Sequence, residues 1–179
     1  MTVYIIDLVP IIIGMPKGLK QTSSVVAIGF GVDETAANTF TQASVDLNLS
    51  PLDREVFVVL AVNLDPFTPD AAPTTDSKVE SSLTTTSQTG VANLSNSNCI
   101  AASGNYVKNG LATFQSMGSE TPPATLEYIG IIATNDFFIQ VKGDGNTNAR
   151  GMDGKLYGYR AVADADIYAA LVQSEVLSA

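Results

Sequence analysis

The chain has 179 residues, of which 45% are hydrophobic and only 15% are charged, so it can form one sizeable core and is not intrinsically disordered. It contains 18 acidic and nine basic residues, one cysteine and no histidine. The scattered basic residues argue against direct nucleic-acid binding. The cysteine and histidine counts exclude an internal disulfide, a thiolate zinc site and a Ser-His-Asp triad.

The N-terminal sequence MTVYIIDLVPIIIGM is apolar but is not typical of a secretory signal, because it has no basic start and contains Asp7 and Pro10. No stretch reaches the length of about 18 apolar residues that a membrane span requires. We interpret residues 1–20 as an arm whose β-branched run suits strand addition or contact with a membrane. The candidate assembly residues are Val3, Tyr4, Ile5, Ile6, Ile11, Ile12 and Ile13.

Three strands are predicted in the first third of the chain after this arm. Val25–Val32 is rich in β-branched residues, and Thr41–Leu49 alternates between an apolar and a polar face. Arg54–Leu64 is apolar on both faces, with Val56 to Leu64 at even positions on one of them. This pattern predicts a central strand covered on both sides, and a neighbouring subunit is one source of the second cover.

Residues 65–98 are rich in proline, serine and threonine, and they predict a turn-rich excursion with one edge strand near Val79–Thr86. Further strands are predicted in Cys99–Lys108, in Ala112–Met117, on both sides of a turn at 134–136, and in Leu156–Val162. The Gly/Asn/Asp-rich stretch 142–155 predicts a tight loop.

The C-terminal sequence DADIYAALVQSEVLS predicts a short helix, with Asp164 or Asp166 as its cap; a terminal strand is the alternative. Helical spacing places Ile167, Ala170, Leu171 and Ser174 on one face.

Together these segments predict an all-β fold, a single jelly-roll β-barrel or sandwich of about eight strands over residues 1–179, with a short C-terminal helix.

Two candidate chemical sites are better explained as structural features. Asp144, Asn146 and Asn148 follow the first positions of a calcium loop, but Ala149 and Lys155 occupy the places of its glycine and its bidentate glutamate. Asp164 and Asp166 are explained by helix capping rather than by paired acid–base chemistry. We therefore predict no catalytic residue, no metal and no cofactor, and a protein that is not an enzyme.

Two blocks of the sequence, residues 55–101 (EVFVVLAVNLDPFTPDAAPTT…NCIA) and residues 137–178 (FFIQVKGDGNTNARGMDGKLYGYR…LVQSEVLS), resemble the small major capsid proteins of sphaerolipovirus-type viruses. These viruses infect haloarchaea or thermophilic bacteria. The resemblance covers about half of the chain. It implies an upright single jelly roll that builds an icosahedral shell with a larger jelly-roll partner around an internal membrane. It supplies no catalytic residues.

Three functions are therefore considered from the sequence. The first is the small capsid subunit, a virion protein that contacts copies of itself, a larger capsid protein and an inner membrane. The second is a receptor- or carbohydrate-binding β-sandwich module, although the chain has no tryptophan. The third is a filament subunit that uses strand complementation.

Overall fold

Strands dominate the computed structural model, which describes residues 16–108, 112–116, 119–120 and 127–177. The elements are β1 Leu19–Gln21, β2 Val26–Asp33, β3 Thr41–Asp46, β4 Glu55–Pro66, β5 Ser77–Thr84, β6 Cys99–Lys108, β7 Ala112–Ser116, β8 Ser119–Glu120, β9 Gly130–Ile132, β10 Asp136–Asp144, β11 Gly151–Ala163 and the helix α1 Ala165–Leu177. A single 3-10 turn, Pro51–Asp53, precedes β4.

The strands form two antiparallel sheets. In sheet A, β11 lies at the centre with β1 and β2 on one side and β4 on the other, and β4 also pairs with β8 and β9. In sheet B the order is β3-β10-β5-β6-β7. Along the chain the path crosses between the sheets from β2 to β3, from β3 to β4, from β4 to β5, from β7 to β8, from β9 to β10 and from β10 to β11. This strand order is that of a jelly roll, so the predicted fold class is confirmed.

The core lies between the two sheets and is closed by side chains that alternate inward along each strand. Phe57, Phe137, Leu83, Ile139 and Leu156 are among its largest fully buried side chains. The rings of Phe30 and Phe137 form a T-shaped pair, with ring centroids 5.5 Å apart.

A β-bulge in β4 changes which side of this strand faces the core. Val59 pairs with Gly158 and Ala61 with Tyr157, so Leu60 is the extra residue. Before the bulge the odd-numbered Phe57 enters the core, whereas after it the even-numbered Val62 does. The prediction of one continuous apolar face from Val56 to Leu64 is therefore wrong, because one inserted residue exchanges the two faces.

The sequence predicted an edge strand near Val79–Thr86, but the corresponding strand β5 lies inside sheet B. It pairs with β10 on one side and β6 on the other, and Ser82 and Thr84 are fully buried. The threonine and serine content indicated an exposed strand, but these hydroxyls are buried beneath a later segment of the chain.

Helix α1 confirms the predicted C-terminal helix and packs on the outer face of sheet A. Ile167, Tyr168, Leu171 and Val172 contact the cluster that contains Val56 and Tyr159. Ala170 and Ser174 are exposed, so the predicted apolar face is correct only for Ile167 and Leu171. This helix provides the second cover of β4 that the sequence left open to a neighbouring subunit.

Several boundaries also differ from the prediction. Strand β3 ends at Asp46, although Leu47 and Leu49 beyond it are buried as the alternation predicted. The loop predicted over 142–155 is confined to 145–150, because β10 and β11 extend into it from both sides. The arm predicted over 1–20 overlaps β1, which begins at Leu19.

Candidate assembly surface

The outer face of sheet A is fastened to α1 by a buried carboxylate. Glu175 is 7% exposed and its two oxygens accept hydrogen bonds from the backbone N–H groups of Ala133 (2.8 Å) and Thr134 (3.1 Å). These residues follow β9, at the start of the turn that leads into β10. Glu175 therefore connects the last turn of the helix to the turn between the two sheets.

Burial raises the pKa of the Glu175 carboxyl group, and the hydrogen bonds from Ala133 and Thr134 oppose that rise. Because the pKa is higher in the folded chain than in the unfolded chain, the contribution of this group to stability is complete below the ordinary glutamate range. It decreases as the pH rises through the raised folded value.

We therefore expect the pH dependence of stability to change in the variant Glu175→Gln. The difference in unfolding free energy, wild type minus variant, should grow in favour of the wild type as the pH is lowered from neutral through the acidic range. Urea unfolding of both proteins at matched pH values measures this difference. A difference that stays constant with pH, or that grows in favour of the variant, would contradict the prediction.

The outer face of sheet B is covered by a segment that we call the strap, residues 85–98. Beneath it, the fully buried amide of Gln140 donates to Thr84 Oγ1 (2.7 Å) and Gln42 Oε1 (3.1 Å), and it accepts from Ser82 Oγ (2.7 Å). The strap joins this network through the N–H of Ala92, which donates to Ser82 Oγ at 3.0 Å.

The strap also contacts the edge of sheet B. The backbone N–H of Gln88 donates to Gln42 Oε1 at 2.8 Å, and Gln42 Nε2 donates to Ser87 Oγ at 2.8 Å. The polar strap is thus hydrogen-bonded to polar side chains that point outward from β3, β5 and β10. Much of the outer surface of both sheets is consequently covered by the chain itself.

Two loops at one end of the barrel are joined by a second buried carboxylate, Glu34, in the loop that follows β2. Its oxygens accept from the N–H groups of Gly143 (2.6 Å), Arg150 (2.8 Å) and Asn38 (3.3 Å). Glu34 is 5% exposed. The neighbouring Asp70, from the loop between β4 and β5, forms an ion pair with Arg150.

Asn146, which the sequence analysis considered as a calcium ligand, also connects the loops at this end of the barrel. Its Oδ1 accepts from the N–H of Asp70 (2.9 Å) and its Nδ2 donates to the carbonyl of Lys78 (2.8 Å). Because these protein groups engage the amide, it serves as a loop connector.

The described residues contain no group of three or more histidine, cysteine, aspartate or glutamate side chains that could hold a metal ion. Asp164 precedes α1, where its carbonyl accepts the N–H of Tyr168 at 2.8 Å, and Asp166 lies in the first turn. No helix in the described part of the chain has the length and hydrophobicity needed to cross a bilayer.

A shallow cleft of about 460 Å³ lies between the strap and sheet B, lined by Glu80, Tyr106, Val91 and Leu94 among others. Tyr106 donates to Glu80 Oε1 at 3.1 Å, and Lys78 pairs with Glu80 Oε2 at 2.9 Å. Burial and the adjacent Glu80 raise the pKa of Tyr106, and the hydrogen bond to Glu80 raises the pKa of Lys78. The cleft therefore presents the phenol of Tyr106 and the carboxylate of Glu80.

The edge of β2 that faces away from β11 differs from the covered faces. No strand in the described ranges pairs with it. From Val25 to Val32 the sequence VVAIGFGV has no charge and no proline, and Val25 and Val26 are 55% and 38% exposed. We call this feature the open edge of β2.

Beside the open edge the barrel core is incompletely covered. The inward-facing Ile28, Phe30 and Val32 of β2, and Ala43 and Val45 of β3 in the opposite sheet, pack on the core but are only half-buried. On the other face of β2, Gly29 has open space around the position of a side chain. The open edge of β2 therefore borders an apolar seam between the two sheets.

The predicted assembly residues Val3, Tyr4, Ile5, Ile6, Ile11, Ile12 and Ile13 lie outside the described residues, so their role stays a prediction. The open edge of β2 was missed as a site because period and composition do not show which strand lies at a sheet margin. Gln140 had a detectable signal, since it is a polar residue within the apolar run FFIQV. Glu34 had none.

The strand order and the covered faces define this molecule as a single jelly-roll barrel. No protein-family model and no curated protein matches the chain. Among solved structures 21 chains match, including one from Desmodium yellow mottle tymovirus. That chain is 12% identical, with 84% of this chain and 95% of that chain covered and a TM-score of 0.28. Because this TM-score is low, the assignment of the chain to the jelly-roll fold rests on its own strand order.

Proposed function

We propose that this protein is a structural subunit of a viral capsid and resides in the virion. In the finer form of the proposal it is the small jelly-roll subunit of a sphaerolipovirus-like icosahedral shell, assembled with copies of itself and with a larger jelly-roll protein around an internal membrane. The assignment to capsids and to this lineage rests on the sequence resemblance, because a jelly roll by itself serves many functions.

The open edge of β2 is the observation that carries the assembly part of this proposal. Proteins that remain solitary protect their edge strands with charged residues, proline, bulges or covering segments. The chain covers both broad faces, with α1 on sheet A and the strap on sheet B, yet the eight residues Val25–Val32, which include all of β2 except its last residue Asp33, carry no charge along the edge. An edge of this kind is suited to a permanent contact.

The low charge of the chain supports the same conclusion. With 15% charged residues, fewer ions must lose water when the surface is buried. Each contact in a shell can be modest, because many repeated contacts make the assembly stable.

The test is the assembly state of the purified full-length chain, alone and together with a larger jelly-roll capsid protein from the same genome. We expect capsomers or closed shells by light scattering and negative-stain electron microscopy. Discrete monomers under both conditions would contradict the proposal, and filaments would favour the strand-complementation subunit instead.

A receptor- or carbohydrate-binding module is the second candidate, and the cleft beside Tyr106 and Glu80 is its specific support. A phenol next to a carboxylate can stack on and hydrogen-bond a sugar. Saturable glycan binding by a discrete monomer or trimer, lost in Tyr106→Ala, would favour this candidate over the capsid subunit.

A further inference from the structure

We propose that the open edge of β2 accepts residues Val3–Val9 of a neighbouring copy of this chain as an added strand. This inference rests on the proposed function only in taking the protein to be an assembling subunit. It specifies the acceptor strand, the donor segment and the face that each donor residue presents.

The acceptor has both features that strand addition requires. Alternate backbone N–H and C=O groups of an edge strand point away from its partner and can bond an incoming strand. The apolar seam formed by Ile28, Phe30 and Val32 is a surface that inward-facing apolar side chains of the incoming strand can cover. On the face away from the core, the small residues Ala27, Gly29 and Gly31 lie between Val25 and Asp33 and offer no steric obstacle.

The donor segment matches the acceptor in length and chemistry. Val3–Val9 has seven residues, rich in valine, isoleucine and leucine, against the eight of β2. Pro10 follows directly and has no N–H to donate, so the added ladder is expected to end before it. Asp7 is the one charged residue of the segment, and its position determines which face can be buried.

If Val3–Val9 folded back to pair with β2 of the same chain, the charge of Asp7 would be buried. Pro16–Leu19 is a tight turn, in which the N–H of Leu19 donates to the carbonyl of Pro16 at 3.1 Å and Gly18 has a φ of +79°. A hairpin continued from this turn sets odd-numbered residues of the segment opposite even-numbered residues of the strand, beginning with Met15 opposite Lys20.

This parity holds along the whole edge. Between Gln21↔Ala161 and Val26↔Gly158 the pairing with β11 shifts by two residues, and an even shift leaves the faces unchanged. The even-numbered residues of β2 face the core, so Asp7 would enter the apolar seam, where an unpaired carboxylate is strongly disfavoured.

A strand from a neighbouring copy is not bound by the register of that turn. It can shift by one residue, which places Tyr4, Ile6 and Leu8 on the seam and directs Asp7 to solvent. The geometry therefore favours exchange between copies, with even-numbered donor residues facing inward.

The faces are tested with a matched pair of full-length variants, Ile6→Asp and Ile5→Asp. Both add one carboxylate to adjacent isoleucines, but only the first faces the seam in the exchanged arrangement. We expect Ile6→Asp to weaken self-association by at least about tenfold in light scattering, and Ile5→Asp to associate like the wild type. The reverse order of effects, or equal association by all three proteins, would overturn the proposal.

Exchange between copies is tested by mixing two variants that are each disabled in one role. Ile6→Asp keeps the acceptor edge, and Ile28→Lys keeps the donor segment but adds a charge to the seam. Each should be a monomer of 18.7 kDa alone, and together they should form a 1:1 complex. Circular dichroism checks that Ile28→Lys is folded, and Val32→Lys provides a second acceptor variant. Absence of the complex with both acceptor variants folded would overturn the exchange.

The outcomes also separate this inference from the proposed function. Shells that form equally well from Ile6→Asp and from the wild type would show that strand exchange is wrong while the capsid function stands. A 1:1 complex in the mixture, with no shell under any condition, would support strand exchange and reject the capsid function.

Discussion

Replacing Glu34 with alanine is expected to lower the free energy of unfolding by about 3–5 kcal/mol, because three backbone N–H groups lose the carboxylate that accepts them. Those groups belong to Gly143, Arg150 and Asn38, in or beside two different loops. Urea unfolding gives the change in free energy, and hydrogen exchange should show lost protection at the amides of Gly143 and Arg150.

The chain offers a matched control for this variant in the adjacent residue. Asp33 has an exposed side chain, so Asp33→Ala removes the same charge and should change stability by no more than about 0.5 kcal/mol. Glu34→Gln retains one acceptor oxygen and should fall between the two. Equal effects of Asp33→Ala and Glu34→Ala would show that net charge, rather than the hydrogen bonds, is responsible.

Replacing Gln140 with alanine is expected to cost about 3 kcal/mol and to loosen the strap. The variant leaves a cavity under the strap and removes the partner of Ser82, Thr84 and Gln42. Urea unfolding measures the loss in stability, and limited proteolysis within residues 87–97 reports release of the strap.

Gln140→Met separates the two causes of this loss. Methionine fills most of the volume but cannot hydrogen-bond the hydroxyls of Ser82 and Thr84, so the part of the loss that remains is due to the polar network. Gln173→Ala, on the exposed side of α1, is the control and should be nearly neutral. A strap that resists proteolysis equally in Gln140→Ala and in the wild type would contradict its anchoring role.

The individual strands were predictable where local pattern carries the information. Val25–Val32, Cys99–Lys108 and the two strands on either side of the turn at 134–136 correspond to β2, β6, β9 and β10. The helix α1 was also predictable, because Asp164 and Asp166 precede and begin a run of helix-forming residues. The neighbours of each strand were not predictable from these patterns.

The errors have identifiable physical causes. The exchange of faces in β4 depends on one inserted residue at Leu60, which leaves the apolar character of the strand unchanged. Strand β5 was placed at an edge because hydroxyl side chains are usually solvated, whereas here Gln140 and the strap satisfy Ser82 and Thr84. The second cover of β4 comes from a helix about 100 residues later in the sequence.

The sequence by itself determined the class of fold, the C-terminal helix, the low surface charge and the exclusion of histidine-dependent chemistry, because these follow from composition and local periodicity. Only the tertiary structure decided that α1 and the strap cover the broad faces, that Glu34 and Glu175 are buried connectors, and that β2 has an open edge beside an apolar seam. These features depend on contacts between residues far apart in the chain, and local patterns do not encode which distant segments meet.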